Sequence, residues 1–173
     1  MVSPARTKLD WYGFGELTPA MLYELLQFRQ AIFVVEQRCA YPDLDGLDHG
    51  AQHLLLRIEG AFAGCLRLIP FPDERKVKIG RVAIAEAARG KGLARHMMQE
   101  ALARCRRDYP DDGVALSGQT YLAPFYESLG FVVTSPPYDD YGIPHVDMLY
   151  SPSPAPRERV ADAKRRPGEG SRD

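Results

Sequence analysis

Arg89-Gly90-Lys91-Gly92-Leu93-Ala94 sets two cations and two glycines directly ahead of an amphipathic run that opens at Leu93. Glycine admits backbone conformations in which successive N–H groups converge, and a helix start adds unpaired donors and the positive end of its dipole. Such a stretch suits an anion, and its extent suits a diphosphate. It is not a P-loop, which needs Gly-x4-Gly-Lys-Ser/Thr. Nor is it the dinucleotide fingerprint, which needs a glycine where Arg95 stands. On these residues alone the other reading is an ordinary glycine loop carrying a solvated Arg89 and Lys91.

The elements around the loop decide what it can hold. Apolar residues over 77–85 read as a strand leading into it, and Leu93, Met97, Met98, Ala101, Leu102 and Cys105 line one face of a helix that Tyr109-Pro110 ends. Upstream, a short strand is expected near 11–14. Thr18-Pro19 is then a good cap for a helix running to about Val34, along which Leu22, Leu25, Leu26, Arg29, Ile32 and Phe33 recur at helical spacing. Residues 54–59 and 62–69 read as a hairpin, 38–50 as an acidic loop, 114–117 as a buried strand, 123–129 as a short helix, and 131–134 and 145–150 as the last strands. This is a mixed α+β pattern. The domain is expected over 11–150, between a flexible 1–10 and a disordered Pro-, Arg- and Gly-rich tail over 151–173.

The 173 residues suit one domain. A net charge of -1 with scattered basic residues implies neither nucleic acid nor an anionic membrane as partner. No apolar run has the ~20 residues of a membrane helix, and 1–10 lacks a signal-peptide core, so a cytoplasmic protein is expected. Cys39, Cys65 and Cys105 are widely spaced and read as free thiols, with Cys39 the more accessible; no metal is expected.

Arg89, Gly92 and Ala94 also satisfy Arg/Gln-x-x-Gly-x-Gly/Ala, which resembles the coenzyme A pyrophosphate motif of the GNAT N-acetyltransferases. A second segment, from Tyr121 through Tyr126 and Gly130 to Phe131, is similar to the Phe-Tyr-Glu-x-x-Gly-Phe element that follows it in that superfamily. The blocks opening at Arg29, Asp45 and Gly142, which carry Glu36, Gln37, His53 and His145, resemble its ElaA-type branch. The resemblance spans about 11–150. It implies the acyl-CoA N-acyltransferase fold, a mostly antiparallel twisted sheet flanked by helices, with acetyl-CoA as cosubstrate. It implies transfer of the acetyl group to a primary amine of a small molecule or peptide by direct attack in a ternary complex. A homodimer is compatible with it.

By that resemblance the cofactor is held by Arg89, Gly90, Lys91, Gly92, Leu93, Ala94 and Arg95. Val82, Ala83 and Ile84 lie on a strand that splays from its neighbour and pairs with the pantetheine arm. Tyr126 stands beside the thioester sulfur. Reference acidities of ~10 for tyrosine and ~8.5 for a thiol make full proton transfer uphill by about 2 kcal/mol, so Tyr126 is a hydrogen-bond donor to the developing thiolate. A lysine-like amine costs about 4.6 kcal/mol to neutralise at pH 7, so a base is wanted. Glu36, after the apolar Ile32-Phe33-Val34-Val35, is the first candidate, and His145 and His49 follow. His53 reads as structural. Asp43, Asp45 and Asp48 either capture a cationic amine or make turns. Ser117-Gly118-Gln119 departs from the family, where an asparagine is common. Two other readings stay open: an acyl-CoA-binding sensor without turnover, and an enzyme like the acyl-homoserine lactone synthases, against which the intact cradle counts.

Overall fold

The computed structural model describes residues 6–151; the expectations for 1–5 and 152–173 lie outside the described residues. Eight strands make one sheet in the order β1-β2-β3-β4-β5-β8-β6, with β7 paired to β8. The strands are β1 Thr7–Gly13, β2 Gln52–Ile58, β3 Ala61–Phe71, β4 Lys76–Ile84, β5 Gly113–Gln119, β6 Phe131–Val133, β7 Tyr138–Asp140 and β8 Ile143–Tyr150. Every pairing is antiparallel except β4 with β5. The expected fold class is therefore the one observed. β1 starts earlier than expected, because Thr7 to Asp10 pair with Ile58 to Leu55 and are not a flexible lead.

Alternation along the strands divides the core. Leu54, Leu56, Leu66, Leu68, Val77 and Ile79 pack on the face covered by α2 (Leu93–Asp108), meeting Met97, Met98, Ala101, Leu102 and Cys105. Each such fully buried Met or Leu contributes about 1.5–3 kcal/mol. Leu55, Cys65 and Ala83 face the opposite way, beneath Leu25 of α1 (Pro19–Arg29) and Ile32. Thr18 caps α1 as expected, its Oγ1 accepting from the Met21 N–H at 3.2 Å. From Gln30 to Glu36 the chain continues in wider π-type turns, which changes where the side chains at its end emerge. Among the described residues no helix is long and apolar enough to cross a membrane.

Candidate active site

The two central strands part where β4 changes course. Their parallel pairing runs from Lys76 opposite Gly113 to Ile79 opposite Leu116 and stops. Beyond it β5 stays paired with β8 as far as Gln119 opposite His145, while β4 stays with β3. In β4, Gly80 faces Arg67 and Ala83 faces Cys65, so Arg81 and Val82 together oppose Leu66. This is a β-bulge, and Arg81 sits in it at φ +53°. The extra residue also breaks the alternation: Ile79 belongs to the α2 face and Ala83 to the α1 face.

Two cavities open into the gap. One, of about 600 Å³, is lined by Val82, Ala83, Ile84, Arg89, Gly90, Gly92, Leu93, Ala94 and Arg95, with Glu36, Tyr121 and Phe125. The other, of about 190 Å³, has walls from Phe33, Tyr41, Arg81, Gly118, Gln119, Asp140, Tyr141 and His145. Gln37, Val82, Leu122 and Tyr126 line both. Of the cradle residues named from sequence, Lys91 stands apart, its Nζ donating to the Ala87 carbonyl at 3.0 Å, outside the larger cavity.

The fit of the larger cavity to a diphosphate can be tested on its backbone. Gly90 and Gly92 have φ of +74° and +75°, and Gly92 is the N-terminal cap of α2. A Cβ at either would meet nothing within 4 Å, so open space lies in front of the first α2 amides, which have no intrahelical acceptor. Left-handed glycines, a helix start and a clear approach are what a diphosphate needs. Arg95 closes one side, donating to Ser128 Oγ at 2.7 Å and lying over the Phe125 ring.

Tyr126 occupies the junction because α3 (Ala123–Glu127) runs across the end of β5, with Pro124 in its first turn. The ring is buried between Phe125 and Phe131, and burial pushes its hydroxyl up to about 12. Gly118 makes its place: a Cβ there would stand 2.9 Å from Tyr126 Cε2 and 3.3 Å from Cδ2. The departure noted at Ser117-Gly118-Gln119 thus includes a contact that seats the tyrosine. Gln119 Nε2 donates to Gln37 Oε1 at 3.1 Å across the gap. Sequence gives neither Gln37 nor Gln119 a role: Gln37 stands in a matching block, and Gln119 in the segment that departs from the family.

The candidate bases separate. Glu36 does not lie in apolar surroundings: it is half exposed and pairs with Arg89 at 2.7 Å, while Arg89 Nε donates to the Ile84 carbonyl. The π-type turns before it carry it out to the mouth of the larger cavity. His145 lies in the smaller one, its Nδ1 2.8 Å from the Ile143 carbonyl. A carbonyl only accepts, so Nδ1 carries the proton and the neutral ring keeps its lone pair on Nε2. His49 stacks edge-on to Phe14, away from both cavities. His53 is buried with Nε2 3.1 Å from the Asp48 carbonyl, and burial holds its pKa down.

The acidic loop does not offer its carboxylates to a substrate. Arg29 bonds Asp43 at 2.9 Å and Asp48 at 2.7 Å, Arg67 bonds Asp48 at 2.7 Å and also Asp45, and Arg81 bonds Asp43 at 2.6 Å. Three arginines meet three aspartates in one network that anchors the loop to the β4 bulge. The turn expectation also holds in part, Asp45 Oδ1 accepting from the Leu47 N–H at 3.1 Å. Among the described residues no group of His, Cys, Asp and Glu is placed to hold a metal. Cys39 is buried rather than accessible, as are Cys65 and Cys105.

Residues 26–151 match the model of the acetyltransferase (GNAT) domain. The chain belongs to the GNAT family. Protein ElaA of Escherichia coli is 39% identical over 145 residues, 81% of this chain and 95% of that protein. The crystal structure of Escherichia coli ElaA superposes with a TM-score of 0.80 at 35% identity, covering 84% of this chain and all (100%) of that one. An acyl-CoA N-acyltransferase of Pseudomonas aeruginosa also gives 0.80, at 38% identity over 84% and 100% of the two chains. The branch is thus the ElaA type of GNAT. A CoA-dependent acyl-homoserine lactone synthase, BjaI, solved with SAM and isopentyl-CoA, shares the fold at a TM-score of 0.70 and 19% identity, over 83% of each chain. At that identity the likeness is one of fold alone.

Proposed function

We propose that this GNAT acyltransferase moves the acetyl group of acetyl-CoA to a primary amine, by direct attack in a ternary complex in the cytoplasm. The observation that carries the reading is that the two cavities meet at Tyr126 and Val82, where β4 and β5 part. The larger has the open glycine cradle, and the smaller holds His145 with its Nε2 lone pair.

His145 takes one proton from the incoming ammonium, and the neutral nitrogen attacks the thioester carbon. The C–S bond breaks, and the sulfur leaves as thiolate and gains the proton that nitrogen loses on becoming an amide. Tyr126, at about 12, lies roughly 3.5 units above a thiol, so handing over its proton is uphill by about 5 kcal/mol. Its part is to donate a hydrogen bond to the developing thiolate. Glu36, fixed by Arg89, buttresses the mouth of the cofactor cavity, and the base role passes to His145. Cys65 and Cys105 take no part: burial raises the Cys65 thiol to about 12 and the Cys105 thiol to about 11.

The test is coenzyme A release from acetyl-CoA with a panel of amines. Tyr126→Phe is expected to lower kcat by about 10²–10³, the cost of losing a donor to developing charge, with cofactor affinity within about twofold. Full turnover by the Phe variant would remove Tyr126 from the mechanism. Acetyl-CoA binding without release for any amine would favour a sensor.

A further inference from the structure

The smaller cavity carries an unbalanced charge that identifies its occupant. Its walls carry Arg81, Asp140 and His145, beside the Cys39 thiol and the phenols of Tyr41, Tyr126 and Tyr141. Arg81 is matched, with Nε 2.6 Å from Asp43 and Nη2 3.2 Å from Asp45, inside a network where arginines and aspartates are equal in number. Asp140 lies outside that network: its near neighbour is His145 Nδ1 at 4.0 Å, whose proton the Ile143 carbonyl accepts. Two positions along β8 from His145, and so on the same face, Asp147 accepts from Ser117 Oγ at 2.6 Å and Tyr138 at 2.9 Å. The Ser117 hydroxyl foremost holds that carboxyl below its usual range. Lys78 and Lys76 act on Asp147 only at longer range. The β7–β8 side of the cavity therefore presents two carboxylates, neither bonded to an arginine or lysine among the described residues.

That side is also pre-shaped. Tyr141 and Gly142, with φ of +51° and +83°, make the two-residue turn between Asp140 and Ile143, the pattern of a type I′ hairpin. Asp139 accepts from the Gly142 N–H at 3.1 Å, and Cys39 Sγ donates to the Tyr141 carbonyl at 3.6 Å, tying the turn to the end of the π-type helix. The Tyr41 and Tyr141 rings stand 5.8 Å apart, and the Arg81 guanidinium already lies over Tyr41, 5.3 Å from its centroid, which leaves Tyr141 as the aromatic wall. Aromatic faces attract cations, and a volume of about 190 Å³ lies below the ~300–1,000 Å³ of pockets for drug-sized ligands.

We propose that the acetyl acceptor is a slender primary amine without a carboxylate, drawn in as its ammonium by Asp140 and the Tyr141 ring and deprotonated at His145. This rests on the transfer reading above. A carboxylate on the acceptor meets the same negative wall and is turned away.

The experiment pairs amines of equal length, 1,4-diaminobutane with 4-aminobutanoate and propylamine with β-alanine, after calorimetry with acetyl-CoA on the full chain. The carboxylate-free member of each pair should have a kcat/KM at least about tenfold higher, equivalent to about 1.4 kcal/mol. Asp140→Asn should raise KM for 1,4-diaminobutane about tenfold with kcat within about twofold. Equal or faster reaction of the carboxylated amines, or an unchanged KM in Asp140→Asn, would overturn the assignment. Absence of acetyl-CoA binding is a different failure, that of the transfer reading itself.

Discussion

Gly118→Ala tests whether the seating of Tyr126 governs turnover. The added methyl would stand 2.9 Å from Tyr126 Cε2, where carbon atoms rest at about 3.5–4.0 Å. The ring must therefore move by roughly 0.6–1 Å, because Leu116 Cδ1 at 3.3 Å leaves the methyl no retreat. Overpacking of this kind costs about 1–3 kcal/mol, a fall in Tm of about 2–12 °C for a domain of this size. A displacement near 1 Å at a reacting centre costs about 10² in rate. The expected result is a kcat about 10²-fold down with acetyl-CoA affinity nearly kept, since the cradle is built by other residues. Steady-state CoA release and calorimetry on one preparation separate the two effects. The control is the double variant: with Tyr126→Phe already in place, Gly118→Ala should cost less than about threefold more in kcat, because the displaced hydroxyl is no longer there to lose. A Gly118→Ala protein with lowered Tm and native kcat, or an equal loss in both backgrounds, would refute the link between this contact and catalysis.

Gly92→Ala places a side chain at φ +75° with no steric obstacle, so the cost is the left-handed backbone alone, about 1–2 kcal/mol; acetyl-CoA affinity should fall well beyond what the modest loss of Tm implies, as read by calorimetry beside thermal melts. Acid should unfold the protein through the arginine–aspartate network. Burial by itself would raise Asp45 and Asp48. The Arg67 hydrogen bond and Leu47 N–H on Asp45, and the Arg29 and Arg67 bonds on Asp48, overcome it, leaving both below the ordinary range of an aspartate and Asp45 at about 2. Their folded acidities lie below the unfolded ones, so their contribution is present above about pH 4 and fades as pH falls towards 2. Denaturant titrations across that window should show the decline, and Asp45→Asn should flatten it. A native-like slope in the variant would exclude Asp45.

Local patterns were the legible part. The glycine loop before α2, the α2 face, the Thr18 cap and the β2–β3 hairpin each follow from residues close in sequence, and the structure has them where spacing put them. The apolar neighbours of Glu36 suggest burial, whereas the π-type turns rotate it outward to Arg89, a partner 53 residues away. The acidic loop hid its partners for the same reason: Arg29, Arg67 and Arg81 come from three different elements. The β4 bulge leaves no mark in composition, because Arg81 is an unexceptional strand residue until Leu66 faces it and Val82 together. β7 was missed because Tyr138-Asp139-Asp140 has no apolar alternation, and its pairing with β8 depends on the Tyr141-Gly142 turn.

Among the described residues, four backbone pairings, Lys76–Gly113 to Ile79–Leu116, stitch β1–β4 to β5–β8 within the sheet. The domain is thus two leaves joined along a short seam, with the slit above it left for a guest. An occupant of that slit touches both leaves at once, so on the proposed reading the thioester bridges them while it reacts.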